Sequence, residues 1–293
     1  MADASANANL KLLKKGGFMK QKQRDCFSMR LKTIGGQLTA QQLATIQQVA
    51  EKYGKGYIHL TSRQGVEIPF IHLEDIETVK KELNKGGVYN GVCGPRLRTI
   101  TACQGNAICP SGLIDTQHLA QEFEKRYGGR EFPCKFKLGI TGCPNNCLKA
   151  EENDLGVKGG ILPTWKQEKC IYCGLCQVVC PTKAITVDKE KHTLTYRKDD
   201  CVYCGKCVTN CPVTAWRGKA GYNISLGGSY GKNIAIGKHV IPLLTDEQDV
   251  YKVADVVLDF FEHNAKAGER FAKVLARVGW DDLEKRIKEA LAK

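Results

Sequence analysis

Residues 135–147 read KFKLGITGCPNNC. Lys135 and Lys137 alternate with apolar residues, which predicts a strand carrying both lysines on one face. Phe136, Leu138 and Ile140 share the other face and should point into a core. The strand runs straight into Cys143 and Cys147, a C-x3-C pair. Two lysines on a strand face are ordinarily a solvated surface, so thiols placed directly after them call for an explanation.

Upstream, residues 98–110 read RTITACQGNAICP and supply Cys103 and Cys109 as C-x5-C. Four thiolates can hold a 4Fe–4S cluster. On spacing alone, buried structural cysteines are the alternative.

Downstream the signal is sharper. Residues 170–181 read CIYCGLCQVVCP and residues 201–212 read CVYCGKCVTNCP. Each is the C-x2-C-x2-C-x3-C-P run of two-cluster ferredoxins, in which three close thiolates grip one cluster and the fourth reaches the other. Cys170, Cys173, Cys176 and Cys211 should therefore hold one 4Fe–4S cluster. Cys201, Cys204, Cys207 and Cys180 should hold a second. Gly174 and Gly205 let each loop turn tightly, and Pro181 and Pro212 stop helical continuation. A zinc ribbon needs four close ligands, and each run offers three plus a distant fourth. Between the runs, AITVDKEKHTLTYRKDD predicts a hairpin alternating at Ile185 and Val187, then at Leu194 and Tyr196.

Fifteen cysteines in 293 residues are too many for a reducing compartment unless they bind something. Cys26, Cys93 and Cys134 stand outside the ordered sets and are expected as small buried hydrophobes. The chain has no apolar run of about 18 residues, so no membrane span is expected. Its start carries positive charge without an apolar stretch, which is no secretory signal. Residues 1–23 are expected as a tail, and the compartment as the cytoplasm. The formal net charge of +13 would suit nucleic acid or an anionic membrane. The basic residues are scattered, however, and match no nucleic-acid motif.

The combination of C-x5-C, TGCPNNC, the preceding K-F-K strand and an upstream T-x-R-Q resembles the sirohaem sulfite and nitrite reductases, from about residue 24 to the C-terminus. The doubled cluster run between the second cysteine pair and GGSYGK resembles the arrangement in dissimilatory-type sulfite reductases. It is most similar to the C subunit of anaerobic sulfite reductases. The resemblance implies that Cys103, Cys109, Cys143 and Cys147 hold a cluster coupled to sirohaem, with Cys147 bridging cluster and haem iron. It implies that Arg63, Arg98, Lys135 and Lys137 bind the substrate anion, with Arg96 a rival for the role of Arg98. Gln64 and Lys232 are implied as sirohaem contacts, although a plain turn accounts equally for LGGSYGKNIAIG. Three clusters would add about −6 and sirohaem about −8, bringing the basic excess near neutrality.

The fold class expected is α/β (α+β). Residues 24–90 form a ferredoxin-like half-domain. Residues 91–164 and 217–293 form a sirohaem and 4Fe–4S domain, and 165–216 an inserted two-cluster ferredoxin domain. LTAQQLATIQQVAEKYG predicts a helix capped by Thr39, with Leu43, Ile46, Ala50 and Tyr53 inward. TDEQDVYKVADVVLDFFEH predicts one capped by Thr245, with Val250, Ala254, Val257 and Phe261 inward. The activity implied is six-electron reduction of sulfite to sulfide, with electrons entering at the insert. Alternatives are reduction of nitrite to ammonia at the same centre, or an electron-transfer subunit without catalysis. The partners expected are an electron-donor protein and further copies of the chain, in a dimer or higher even assembly.

Overall fold

The computed structural model describes residues 9–293, which divide into two compact units. The first contains the chain up to Cys103 with Gln117–Ile140 and Leu258–Trp280. The second contains Gln104–Thr116, Thr141–Val257 and Asp281–Lys293.

In the first unit, α1 (Leu10–Lys15) leads into β1 (Phe18–Lys20), which pairs antiparallel with β2 (Cys26–Arg30) in the register Phe18↔Met29. This corrects the expected tail. Phe18 is buried in one core with Phe27 and Met29, and that apolar burial stabilises the segment. Residues 1–8 of the expected tail lie outside the described residues. Helix α2 (Ala40–Tyr53) starts at the predicted cap. The Thr39 hydroxyl accepts from the Gln42 N–H at 3.1 Å, and the Gln42 side chain accepts from the Thr39 N–H at 2.9 Å. Ile46, Val49 and Ala50 are buried. Leu43, expected inward, is 50% exposed, because it sits a turn before the packed stripe.

Strands β3 (His59–Leu60) and β4 (Val66–His72) follow, then α3 (Ile76–Lys85). The antiparallel sheet runs β1-β2-β4-β3, so the expected strand–helix–strand–strand–helix order is present with β1 added at one edge. Next, β5 (Thr101–Ala102) and β6 (Leu138–Thr141) pair in parallel, with α4 (Thr116–Tyr127) between them. The strand expected from Lys135 begins at Leu138, and Phe136 makes only an isolated bridge to Leu97. Phe136, Leu138 and Ile140 are all fully buried. The Phe136 ring lies 5.9, 5.3 and 5.5 Å from those of Phe132, Phe261 and Phe271.

In the second unit, β7 (Leu155–Trp165) precedes α5 (Leu175–Val179), β8 (Ile185–Asp188), β9 (Thr193–Tyr196) and α6 (Lys206–Thr209), and β10 (Trp216–Leu226) returns. β7 and β10 pair antiparallel from Leu155↔Leu226 to Trp165↔Trp216. The cysteine-rich segment between them therefore leaves and rejoins the ribbon at one paired position. β8 and β9 form a hairpin in the register Ile185↔Tyr196 and Val187↔Leu194.

Helix α7 (Glu247–Asn264) buries Val250, Ala254, Val257 and Phe261 as expected. Its start differs, since Asp246 rather than Thr245 accepts from the Gln248 N–H, at 2.9 Å. Helix α8 (Phe271–Val278) belongs to the first unit and α9 (Asp281–Leu291) to the second. The division differs from the expected boundaries. Residues 91–103, 117–140 and 258–280 join the half-domain side, where the β5–β6 pair and the phenylalanine core hold them. Among the described residues, no helix is long and apolar enough to cross a membrane.

Candidate functional site

A cleft of about 800 Å³ in the first unit is lined by Arg30, Arg63, Arg98, Lys135 and Lys137, with Cys93, Thr33 and Thr61. Five cations and no carboxylate line it. The four residues singled out as anion-binding thus converge, although they come from three separate stretches of chain. Arg96 is absent from the lining and pairs with Glu131, which also accepts from Lys15 at 3.1 Å. Arg98 donates to the Val92 carbonyl at 3.3 Å, while its Nε is buried without a partner. Arg63 donates to the Thr99 carbonyl at 3.3 Å.

Gln64 does not reach the cleft. Its amide nitrogen donates to the Ala102 carbonyl at 2.9 Å and its amide oxygen accepts from the Ala102 N–H at 3.0 Å. These two bonds pin the Arg63 loop to β5.

Arg30 is the residue the sequence reading missed. In FSMRLK, Phe27, Met29 and Leu31 are buried while Arg30 faces the cleft. This alternation is the signature that drew attention to KFKL. Glu67 holds Arg30, with its Oε1 accepting from Nε at 2.8 Å and from Nη2 at 2.5 Å. Cys93 is buried as expected, but it also lines the cleft. Burial pushes its thiol pKa up, yet Arg98 and then Arg30 more than offset this and leave it below the ordinary value. Cys26 is buried and Cys134 only half-buried.

The doubled cysteine run forms two adjoining cavities in the second unit. Cys170, Cys173, Cys176 and Cys211 line one of about 310 Å³, together with Pro212 and Trp216. Cys180, Cys201, Cys204 and Cys207 line another of about 330 Å³, together with Pro181 and Tyr196. Each set combines three close thiols from one run with the last cysteine of the other. Gly174 and Gly205 take left-handed φ values of +81° and +73° at these turns, where a side chain would be strained.

Among the described residues, no three His, Cys, Asp or Glu groups are close enough to hold a single metal ion; these thiols surround a space. Burial, followed by the neighbouring Cys201 and Cys204, pushes the Cys207 thiol up to about 12. Burial likewise raises Cys176. Such thiols keep their protons until a cationic centre displaces them. The Nε1 of Trp216, buried in the wall of the first cavity, has no full hydrogen bond. An unpaired donor beside four thiols fits a sulfur-rich anionic group.

Of the remaining four cysteines, Cys103 lies in the first unit and Cys109, Cys143 and Cys147 in the second. The Cys103 N–H donates to the Ile140 carbonyl at 3.1 Å, and its carbonyl accepts from Gln117 at 2.9 Å. The Leu113 N–H donates to the Gly142 carbonyl at 2.8 Å, which ties the loop after Cys109 to the residue before Cys143. Cys143 is buried and Cys147 exposed. Between them Asn146 sits at φ +53°. Its side chain accepts from the Ala150 N–H at 2.9 Å and donates to Glu151. Glu151 also binds Lys158 and lies 3.6 Å from His239. Burial alone would raise its carboxyl, but His239 and Lys158 bring it down to about 2. This network was not foreseen, because its members are scattered along the sequence.

Lys232 is exposed, near the tip of a hairpin bridged by Ser229 and Ala235. The Gly227 N–H is taken by the Asp154 carbonyl at 2.9 Å, and a Cβ on Gly228 would lie 2.0 Å from the Glu151 carbonyl. The glycines thus serve the close approach of this hairpin to residues 151–154.

Comparison with known proteins accords with this geometry. The family model for the nitrite and sulphite reductase 4Fe-4S domain matches residues 93–293, and that for the nitrite/sulfite reductase ferredoxin-like half domain matches residues 19–86. The chain is 36% identical over 261 residues to a coenzyme F420-dependent sulfite reductase of Methanocaldococcus jannaschii, covering 88% of this chain and 42% of that protein. It is 36% identical over 169 residues to the C subunit of the anaerobic sulfite reductase of Salmonella typhimurium, covering 52% of this chain and 48% of that one. The chain therefore spans less than half the length of these two relatives. A crystal structure of dissimilatory sulfite reductase I superposes with a TM-score of 0.72 at 22% identity, over 90% of this chain and 69% of that one, a likeness of fold. With a model match over most of its length, the chain belongs to the nitrite and sulphite reductase family, whose members use sirohaem and a 4Fe–4S cluster.

Proposed function

We propose that the protein reduces sulfite to sulfide with six electrons at a sirohaem centre. The observation that carries this reading is the cleft in which Arg30, Arg63, Arg98, Lys135 and Lys137 converge. Sulfite is a small oxyanion whose oxygens leave as water. Fixed cations polarise the bound anion and stabilise the charge that develops on it. The arginines supply planar paired donors that hold orientation, and the lysines supply point charges able to pass protons.

Sirohaem, when bound, supplies the iron that takes the substrate and the electrons. Cys103, Cys109, Cys143 and Cys147 would hold the cluster coupled to it. Cys170, Cys173, Cys176 and Cys211 hold a second cluster, and Cys180, Cys201, Cys204 and Cys207 a third. Electrons would enter through the segment 165–216 from an electron-donor protein or redox subunit. The basic cleft of one copy completes the site over the Cys147 centre of another, so the working form is an even oligomer.

The test is an anaerobic absorption spectrum of the purified protein before and after sulfite is added to the reduced form. A sirohaem band that shifts with sulfite, with sulfide as the turnover product, supports the reading. Faster turnover of nitrite to ammonia would replace the substrate. Iron–sulfur absorption with no extractable sirohaem, in protein made by a sirohaem-competent host, would leave an electron-transfer subunit.

A further inference from the structure

Two aromatic side chains divide the cavities of the doubled cysteine run. Trp216 lines the one formed by Cys170, Cys173, Cys176 and Cys211, and Tyr196 lines the one formed by Cys180, Cys201, Cys204 and Cys207. Their rings meet edge to face, 5.2 Å apart at 89°. Both belong to a small core with Cys176, Cys207 and Ile185. Each ring carries one polar hydrogen. Trp216 is 2% exposed, and its Nε1 is without a full hydrogen bond. It shares both its core and its cavity with Cys176. Tyr196 is half-buried, and it lines its cavity together with Cys201. A buried donor left unpaired costs stability, so the indole N–H in particular calls for an acceptor in the cavity that it borders.

We propose that Trp216 and Tyr196 are tuning residues, each donating its one polar hydrogen to the sulfur of a different iron–sulfur centre, Trp216 on the Cys176 side and Tyr196 on the Cys201 side. The inference rests on the cluster ligation proposed above. A reduced cluster carries one more negative charge than an oxidised one, so a hydrogen bond to its sulfur stabilises the reduced form and raises the potential. The two centres also differ in exposure. Each set has one buried cysteine, Cys176 or Cys207, but Cys173 is exposed where its counterpart Cys204 is half-buried. With one donor assigned to each, the potentials can be set separately although the cavities share a wall. Each reduction adds one electron, taken in the test from dithionite, and makes or breaks no bond.

The test is a dithionite titration of the holoprotein followed by electron paramagnetic resonance, in the parent and in Trp216→Phe, Tyr196→Phe and Trp165→Phe. Trp165 carries a similarly unpaired Nε1 but lines neither cavity. Trp216→Phe is expected to lower the midpoint of one centre only and Tyr196→Phe that of the other, while Trp165→Phe moves neither. Unmoved midpoints in both variants would overturn the inference while leaving the ligation intact. A parent protein lacking two such signals would overturn the ligation and the inference with it. Should Trp216→Phe fail to assemble, pulsed resonance on the parent with ¹⁵N-indole tryptophan decides. Coupling of one centre to an indole nitrogen and its exchangeable proton supports the proposal, and its absence at both centres removes it.

Discussion

Glu67 stands behind Arg30 at the cationic cleft, its Oε1 2.8 Å from Nε and 2.5 Å from Nη2. The carboxylate fixes the plane of the guanidinium and leaves its outer edge to the cleft. Glu67→Ala should cost about 2 kcal/mol of stability, the loss of charge-assisted hydrogen bonds at a half-buried site. It should also raise the KM for sulfite several-fold while changing kcat little. Thermal unfolding and steady-state kinetics check the two parts separately.

Lys135 and Lys137 line the same cleft, while the residues between and after them carry the core. Lys137→Ala should therefore fold normally and lose about 100-fold in kcat, the scale for removing one charge-stabilising donor. Unfolding curves and single-turnover sulfide release from the reduced protein measure this. A loss confined to KM would assign the lysine to binding alone.

The two cysteine cavities predict separable losses. Cys173→Ser and Cys204→Ser should each remove or alter one cluster, so that a full loss lowers iron by about four atoms per chain, and the double variant shows both effects. Iron and acid-labile sulfide assays with paramagnetic resonance check it. Loss of both clusters from either single variant would show that the cavities assemble as one unit.

Glu151 predicts an acid-dependent stability. Its folded pKa of about 2 lies below the ordinary 4.5, so its contribution is fully present above pH 4.5 and is lost as pH falls towards 2. The shift corresponds to about 3 kcal/mol. The stability difference between the parent and Glu151→Gln should be constant above pH 4.5 and shrink below it. Urea unfolding followed by tryptophan fluorescence measures the difference.

Gly159 faces the Gly142 carbonyl, where a Cβ would lie 2.2 Å from the oxygen. On the next residue of β7, a Cβ on Gly160 would lie 3.1 Å from that of Tyr203. Successive strand residues face opposite sides, so the loop before Cys143 and the loop between Cys201 and Cys204 approach the same short stretch of β7. Gly159→Ala should cost about 1–3 kcal/mol through overpacking against backbone. Gly160→Ala should cost less, because its nearest obstacle is the movable Leu243 side chain at 2.6 Å. Melting temperatures of the two variants check the order.

Local rules made several elements legible. Thr39 and Gln42 form the capping box that opens α2, since that motif involves only neighbours in sequence. The β8–β9 hairpin followed from alternation at Ile185, Val187, Leu194 and Tyr196. The grouping of each cysteine run's last member with the other run followed from spacing, because three thiols within seven residues leave little room for a fourth. Where the expectation slipped, the cause was a near neighbour in some places and a distant partner in others. Leu43 lay beyond the packed stripe of α2. Asp246 outcompeted Thr245 for the start of α7. Phe18 drew residues of the supposed tail into a core.

The sequence by itself determined the chemistry available to this protein: twelve cysteines in ordered sets, a basic strand leading into two of them, and the half-domain order of strands and helices. These are local patterns, and a chain writes them in residues that lie close together. Only the tertiary structure decided which charges meet. It put Arg98 into the cleft and tied Arg96 to Glu131. It brought Arg30 to the cleft and set the Trp216 and Tyr196 rings between two cavities. Two arginines with one residue between them carry identical charges, so the choice between them lies in the folding of distant strands and the carboxylates those strands bring near.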